Sequence, residues 1–91
     1  MNKKILIVED HPAVLRVLTL SLRQRGYDVL EANTGGLGLA LTSSANPDLV
    51  LLDLSLPDLS GLEIAKKINK ILRPLTYLWL RFRAVASESW Q

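Results

Sequence analysis

The sequence predicts an α/β domain built on a parallel sheet, and three observations carry that prediction. Two apolar runs, Ile5–Val8 and Leu49–Leu52, show no polar alternation, which suits strands buried on both faces. Segments with helical spacing lie between and after the strands. The resulting order, β-α-β-α-β-α, is that of a sheet covered by crossover helices.

The first strand is Lys4–Val8, ended at once by Glu9 and Asp10. Pro12 suits a first helical position, with Asp10 or His11 as cap. Val14, Leu15, Leu18 and Leu22 then recur at helical spacing, with Arg16, Arg23 and Gln24 on the other side, so the stripe is read as core. Gly26 is placed to stop this helix. Tyr27–Ala32 reads as the second strand. Thr34-Gly35-Gly36-Leu37-Gly38 is a poor helix start, because glycine costs about 1 kcal/mol in a helix interior. A second helix is therefore predicted over 37–44 only, broken by Asn46-Pro47. Asp48–Asp53 is a third strand ending in a carboxylate. Pro57, Asp58, Ser60 and Gly61 form a loop, and Ser60 and Glu63 have capping-box spacing. Ile64, Ala65, Ile68, Ile71 and Leu72 mark the buried side of a third helix. Glu63, Lys66, Lys67 and Lys70 mark its wet side, and Pro74 limits it.

At 91 residues the chain holds one domain at most. It contains no cysteine, which excludes disulfides, thiol catalysis and thiolate metal sites. The apolar run behind Lys3-Lys4 is too short for a secretory signal, and no stretch is long enough to span a membrane. The protein is expected to be soluble and cytoplasmic, with no membrane partner. Net charge is +2, and all of the excess lies in 73–91, where Arg73, Arg81 and Arg83 face Glu88 alone. Tyr77, Trp79, Phe82 and Trp90 also lie there, so the composition shifts near residue 73.

Two strands end in carboxylates, Glu9-Asp10 and Asp53. In a parallel sheet these ends share one rim, where ligands bind at the topological switch point. Three converging carboxylates repel unless a hard cation neutralises them. An all-oxygen donor set suits Mg²⁺, which can also bridge carboxylate and phosphate oxygens. The plain alternative is that acids end strands because the chain emerges into solvent there; that accounts for one such residue better than for three at one rim.

Ile5-Leu6-Ile7-Val8-Glu9-Asp10, Pro47-Asp48-Leu49-Val50-Leu51-Leu52-Asp53 and Leu56-Pro57-Asp58-Leu59-Ser60-Gly61-Leu62-Glu63 together closely resemble the receiver domain of bacterial two-component response regulators. The resemblance covers residues 4 to about 72. It implies a flavodoxin-like, doubly wound parallel sheet, here incomplete, with three clear β-α units. It implies Asp53 as the acceptor of a phosphoryl group from a sensor histidine kinase. It also implies a Mg²⁺ site made by Asp10, Glu9, Asp53 and the backbone carbonyl of Ser55. The domain would catalyse its own modification and have no external turnover.

The pattern breaks after the third helix. A full receiver has five strands, with a Thr or Ser at the end of the fourth and a Lys at the end of the fifth. The window for the hydroxyl holds Arg81, Phe82 and Arg83, and no residue matches the lysine. Leu78, Leu80, Phe82 and Ala84 alternate with Trp79, Arg81, Arg83 and Val85, the pattern of a half-exposed strand. The expected division is a partial receiver over 1–75 and an atypical tail over 76–91. A frameshift, a truncating insertion or a fused segment would each account for the tail, and reading the downstream DNA in three frames tests the first. With a fourth strand missing or replaced, strand 3 is expected to present a bare apolar edge.

Other features have plainer readings. His11 lacks a second histidine and reads as a solvated helix-start residue. The glycines at 35, 36 and 38 lack the spacing of a nucleotide loop. Trp79, Arg81, Phe82 and Arg83 are too few for a nucleic-acid surface, so no nucleic acid is expected to bind this chain. Two functional alternatives stand beside the acceptor. A phosphohydrolase with an aspartate nucleophile would want a second acid two residues after Asp53, where Ser55 stands. A non-functional receiver fragment would show no cooperative melt.

Overall fold

The computed structural model describes residues 2–53 and 61–71, together with the backbone of 77–81. Four strands and three helices alternate: β1 (Lys4–Val8), α1 (Pro12–Gln24), β2 (Asp28–Ala32), α2 (Gly35–Ala45), β3 (Leu49–Asp53), α3 (Gly61–Ile71) and β4 (Tyr77–Arg81). The sheet order is β2-β1-β3-β4, and every pair is parallel. This is the doubly wound α/β arrangement expected from the sequence. Among the described residues no helix is long and apolar enough to cross a membrane.

Period-two alternation divides β1, β2 and β3 between two cores. Ile5, Ile7 and Val29 pack with Leu15, Leu18 and Leu22 of α1, and Leu49 and Leu51 join them. On the opposite face Leu6, Val8, Ala32, Val50 and Leu52 pack with Ile64, Ala65 and Ile68 of α3 and with Leu39 and Leu41 of α2. Leu6, Val8, Val50, Leu52, Ile64 and Ile68 have no exposed surface, which explains why β1 and β3 read as unbroken apolar runs. Ile71, expected in this core, is the last residue of α3 and is 39% exposed. Thr19, absent from the predicted core, is buried, and its hydroxyl donates to Glu31 Oε2 at 2.6 Å. That bond makes its burial tolerable.

The ends of α1 follow from local chemistry. His11 is the N-cap residue but its side chain makes no cap bond, and Pro12 begins the helix. At the other end the Gly26 N–H donates to the Arg23 carbonyl at 3.0 Å and the Tyr27 N–H to the Leu22 carbonyl at 3.2 Å. This is the Schellman arrangement, and Gly26 takes the positive φ of 91° that it requires.

The second helix starts two residues earlier than its sequence predicts. The Thr34 hydroxyl accepts the Leu37 N–H at 3.1 Å and caps the helix. The glycines that made this start look poor have a packing reason at position 38. A Cβ there would lie 2.8 and 2.9 Å from the two methyl carbons of Val8. Glycine lets α2 approach β1 more closely than any other residue allows.

The bare β3 edge expected from the sequence is not found. β4 pairs along all of β3, from Leu49 opposite Tyr77 to Asp53 opposite Arg81. The alternation there predicts a half-exposed strand, and the strand found, Tyr77–Arg81, supplies the ladder. The Ser60 cap, the Ser55 carbonyl and the tail beyond residue 81 lie outside the described residues.

The outer edge of β2 is guarded. Ala32 turns its carbonyl to β1, accepting the Glu9 N–H at 2.9 Å, so by alternation the Val29 carbonyl faces outward. Arg23 Nη2 donates to it at 3.4 Å.

At the opposite rim from the acids, Asp48 ties β1 to β3. Its Oδ2 accepts the Lys4 N–H at 2.7 Å, and its own N–H donates to the Lys4 carbonyl at 2.7 Å. Lys4 Nζ donates to the Ala45 carbonyl at the end of α2 at 2.8 Å, where a cation also complements the helix dipole. Asp48→Ala is expected to cost about 1.5–3 kcal/mol, the range for a hydrogen bond to a charged group. Chemical denaturation reads this, and an unchanged midpoint would show that the tie is dispensable.

Candidate phospho-acceptor site

β1 lies between β2 and β3, so chain connections leave it in opposite directions and open a crevice beyond the β1 and β3 C-termini. Glu9 and Asp10 follow β1 directly, and Asp53 is the last residue of β3. One carboxylate oxygen from each of the three lies within 4.8 Å of the others. The structure thus brings together the three acids singled out in the sequence. Ser55, the fourth expected contributor, lies outside the described residues.

Their surroundings differ. Glu9 is 1% exposed and Asp53 is 2% exposed, while Asp10 is half-buried. Glu9 is held from two sides: its N–H is bonded to β2, and its Oε2 accepts the His11 N–H at 3.2 Å. The second bond was not foreseen, although Pro12 in the following position is its signal: it fixes the start of α1 two residues after Glu9. The positive end of the α1 dipole favours carboxylates here. His11 itself is exposed, as its plain reading expects.

Charge decides what this rim can hold. Three acids so close, two of them almost wholly removed from water, suit a partner that is small, hard and positive. Their donors are all oxygen, the set preferred by Mg²⁺ and Ca²⁺ rather than by softer metals. A separate groove of about 640 Å³ runs along α1, lined by Arg16, Thr19, Leu20, Arg23 and Glu31 among others. None of the three acids lines it.

The expected hydroxyl is absent, and the residue in register with Asp53 on β4 is Arg81.

Comparison with known proteins agrees with this fold. The response regulator receiver domain family matches residues 5–79. The alkaline phosphatase synthesis transcriptional regulatory protein PhoP of Bacillus subtilis is 39% identical over 80 residues, covering 86% of this chain and 33% of PhoP. PilH of Pseudomonas aeruginosa is 40% identical over 67 residues, covering 74% of this chain and 55% of PilH. The chain therefore spans a minor part of PhoP and about half of PilH. Among solved structures, a CheY-like receiver domain protein from Methanospirillum hungatei superposes with a TM-score of 0.87 at 35% identity, covering 97% of this chain and 70% of that one. TrrA from Thermotoga maritima, solved in complex with Mg²⁺ and BeF, gives a TM-score of 0.71 at 41% identity, covering 75% of this chain and 59% of that one. Sequence, fold order and the acidic rim converge: the chain belongs to the response regulator receiver domain family, whose role is phosphorelay signalling.

Proposed function

We propose that Asp53 accepts the phosphoryl group in this chain, that Glu9, Asp10 and Asp53 hold Mg²⁺ with the Ser55 carbonyl, and that a sensor histidine kinase is the donor. The convergence of the three carboxylates within 4.8 Å supports this most directly. When bound, Mg²⁺ would neutralise the acids and offset charge on the transferring phosphoryl group.

The chain's own residues divide the remaining work. Asp53 sits at the end of a strand buried between two cores, so its backbone is fixed and little orientational freedom remains to be lost. Its carboxylate is the nucleophile: one oxygen attacks phosphorus as the bond to the leaving group breaks. Glu9, anchored to β2 and to the His11 N–H, cannot swing away from the rim. Asp10, the most accessible of the three, faces the approach of solvent and donor. The domain modifies itself and releases phosphate by hydrolysis, without turning over an external substrate.

Mass spectrometry tests the proposal. Incubated with Mg²⁺ and a small phosphodonor, the chain is expected to gain about 80 Da, located on Asp53 by peptide mapping. A cooperative melt with no such gain would refute the acceptor reading, whereas no gain and no cooperative melt would mark the non-functional fragment. The phosphohydrolase alternative predicts continuous phosphate release from an external monoester.

A further inference from the structure

The last rung of the β3–β4 ladder places Arg81 directly across from Asp53. Adjacent strands run about 4.8 Å apart. Residues in register share a face and an end of the sheet, so the two stand side by side at the acidic rim. A guanidinium remains charged at any working pH, and its planar fork matches phosphate oxygens two at a time.

We propose that Arg81, which the β3–β4 register sets beside Asp53, promotes phosphoryl transfer to this chain through its fixed positive charge. The proposal rests on the acceptor reading above and goes beyond it, because the resemblance places only an uncharged hydroxyl in the window 81–83. Arginine changes the electrostatics of the rim in two opposite ways. It opposes a divalent cation held by the same carboxylates, and it favours an incoming dianion. A residue that merely completes the strand has neither effect.

The experiment uses the full 91-residue chain, phosphoramidate as donor, and Arg81→Ala, Arg81→Gln and Arg81→Lys. In the reaction an Asp53 oxygen forms a bond to phosphorus while the P–N bond breaks. The electron pair leaves on nitrogen, which departs from the donor's protonated amine as ammonia. Phosphorylation is followed by mass, and Mg²⁺ affinity is measured separately by calorimetry without donor. Arg81→Ala and Arg81→Gln are expected to slow phosphorylation about tenfold or more, the scale of losing one charge-stabilising group, while binding Mg²⁺ about threefold or more tightly. Arg81→Lys is expected to keep the parent's Mg²⁺ affinity and to recover part of the rate, since an ammonium retains the charge without the fork. If Arg81→Ala unfolds β4, Arg81→Gln, which keeps the side chain as far as Cδ, decides.

Equal rates in parent and neutral variants would overturn the role of Arg81 and leave Asp53 as acceptor. Slower phosphorylation with weaker or unchanged Mg²⁺ binding would also overturn it, as the mark of a disturbed strand. A parent chain that takes no phosphoryl group would overturn the acceptor reading itself.

Discussion

Asp53→Asn is expected to yield a chain that takes no phosphoryl group yet melts at a higher temperature than its parent when no divalent cation is present. The two effects share one cause. At the 4.8 Å that bounds the three acids, a pair of unit charges repels by about 3.5 kcal/mol at an effective dielectric constant of about 20. The half-exposed position of Asp10 and the helix dipole of α1 reduce the net effect. Neutralising Asp53 is then expected to stabilise the metal-free fold by about 1 kcal/mol, or roughly 4–8 °C for a domain of this size. Mg²⁺ should raise the melting temperature of the parent more than that of the variant, since ligand binding stabilises only a state that binds. Thermal denaturation with and without Mg²⁺ measures both terms. A variant that melts below its parent in the absence of metal would mean that Asp53 is needed for structure, and that mutual repulsion does not dominate at this rim.

Gly38→Ala is expected to destabilise the protein, the reverse of the usual result for glycine in a helix. Replacing an interior helical glycine ordinarily gains about 1 kcal/mol. Here the new Cβ would come within 2.8 Å of one Val8 methyl carbon and 2.9 Å of the other. Both partners are buried, so neither can turn toward solvent. Overpacking of this kind costs about 1–3 kcal/mol, which exceeds the propensity gain. Val8→Ala should relieve the clash, so the same substitution is expected to be at least 1 kcal/mol less harmful in that background, the coupling typical of contacting residues. The effect should also reach the site, because Val8 immediately precedes Glu9 and Asp10. Displacing the end of β1 is expected to weaken Mg²⁺ binding. Denaturation of the four chains of the cycle, with Mg²⁺ titration of each, provides the check. Additive costs would show that α2 moves outward instead of straining β1.

Much of this was legible from the sequence for specific reasons. β1 and β3 announced themselves because strands buried on both faces leave no room for a polar residue between Ile5 and Val8 or between Leu49 and Leu52. Their carboxylates followed from topology alone, since parallel strands deliver their last residues to one rim. Position 53 could therefore be chosen without knowing a single distance. The start of α2 was missed because helix propensity is a local quantity, whereas Gly38 answers to Val8 on another element. Thr19 was missed because hydrophobic spacing cannot show a hydroxyl buried against Glu31. The alternation over 78–85 marked a strand but not its partner, because side-chain periodicity does not say which backbone a strand pairs with. A backbone that can extend beside an unpaired strand has reason to do so whatever side chains it carries. The register that sets Arg81 beside Asp53 exists only once that pairing is known.

The bond from Arg23 to the outward carbonyl of Val29 has an outcome for how the molecule can grow. It caps an acceptor that a neighbouring strand would need, and Asp28 and Glu31 put charge along the same border. Accretion of further strands, whether from the same polypeptide or another molecule, is thereby steered to the opposite flank, and the sheet acquires a direction of extension.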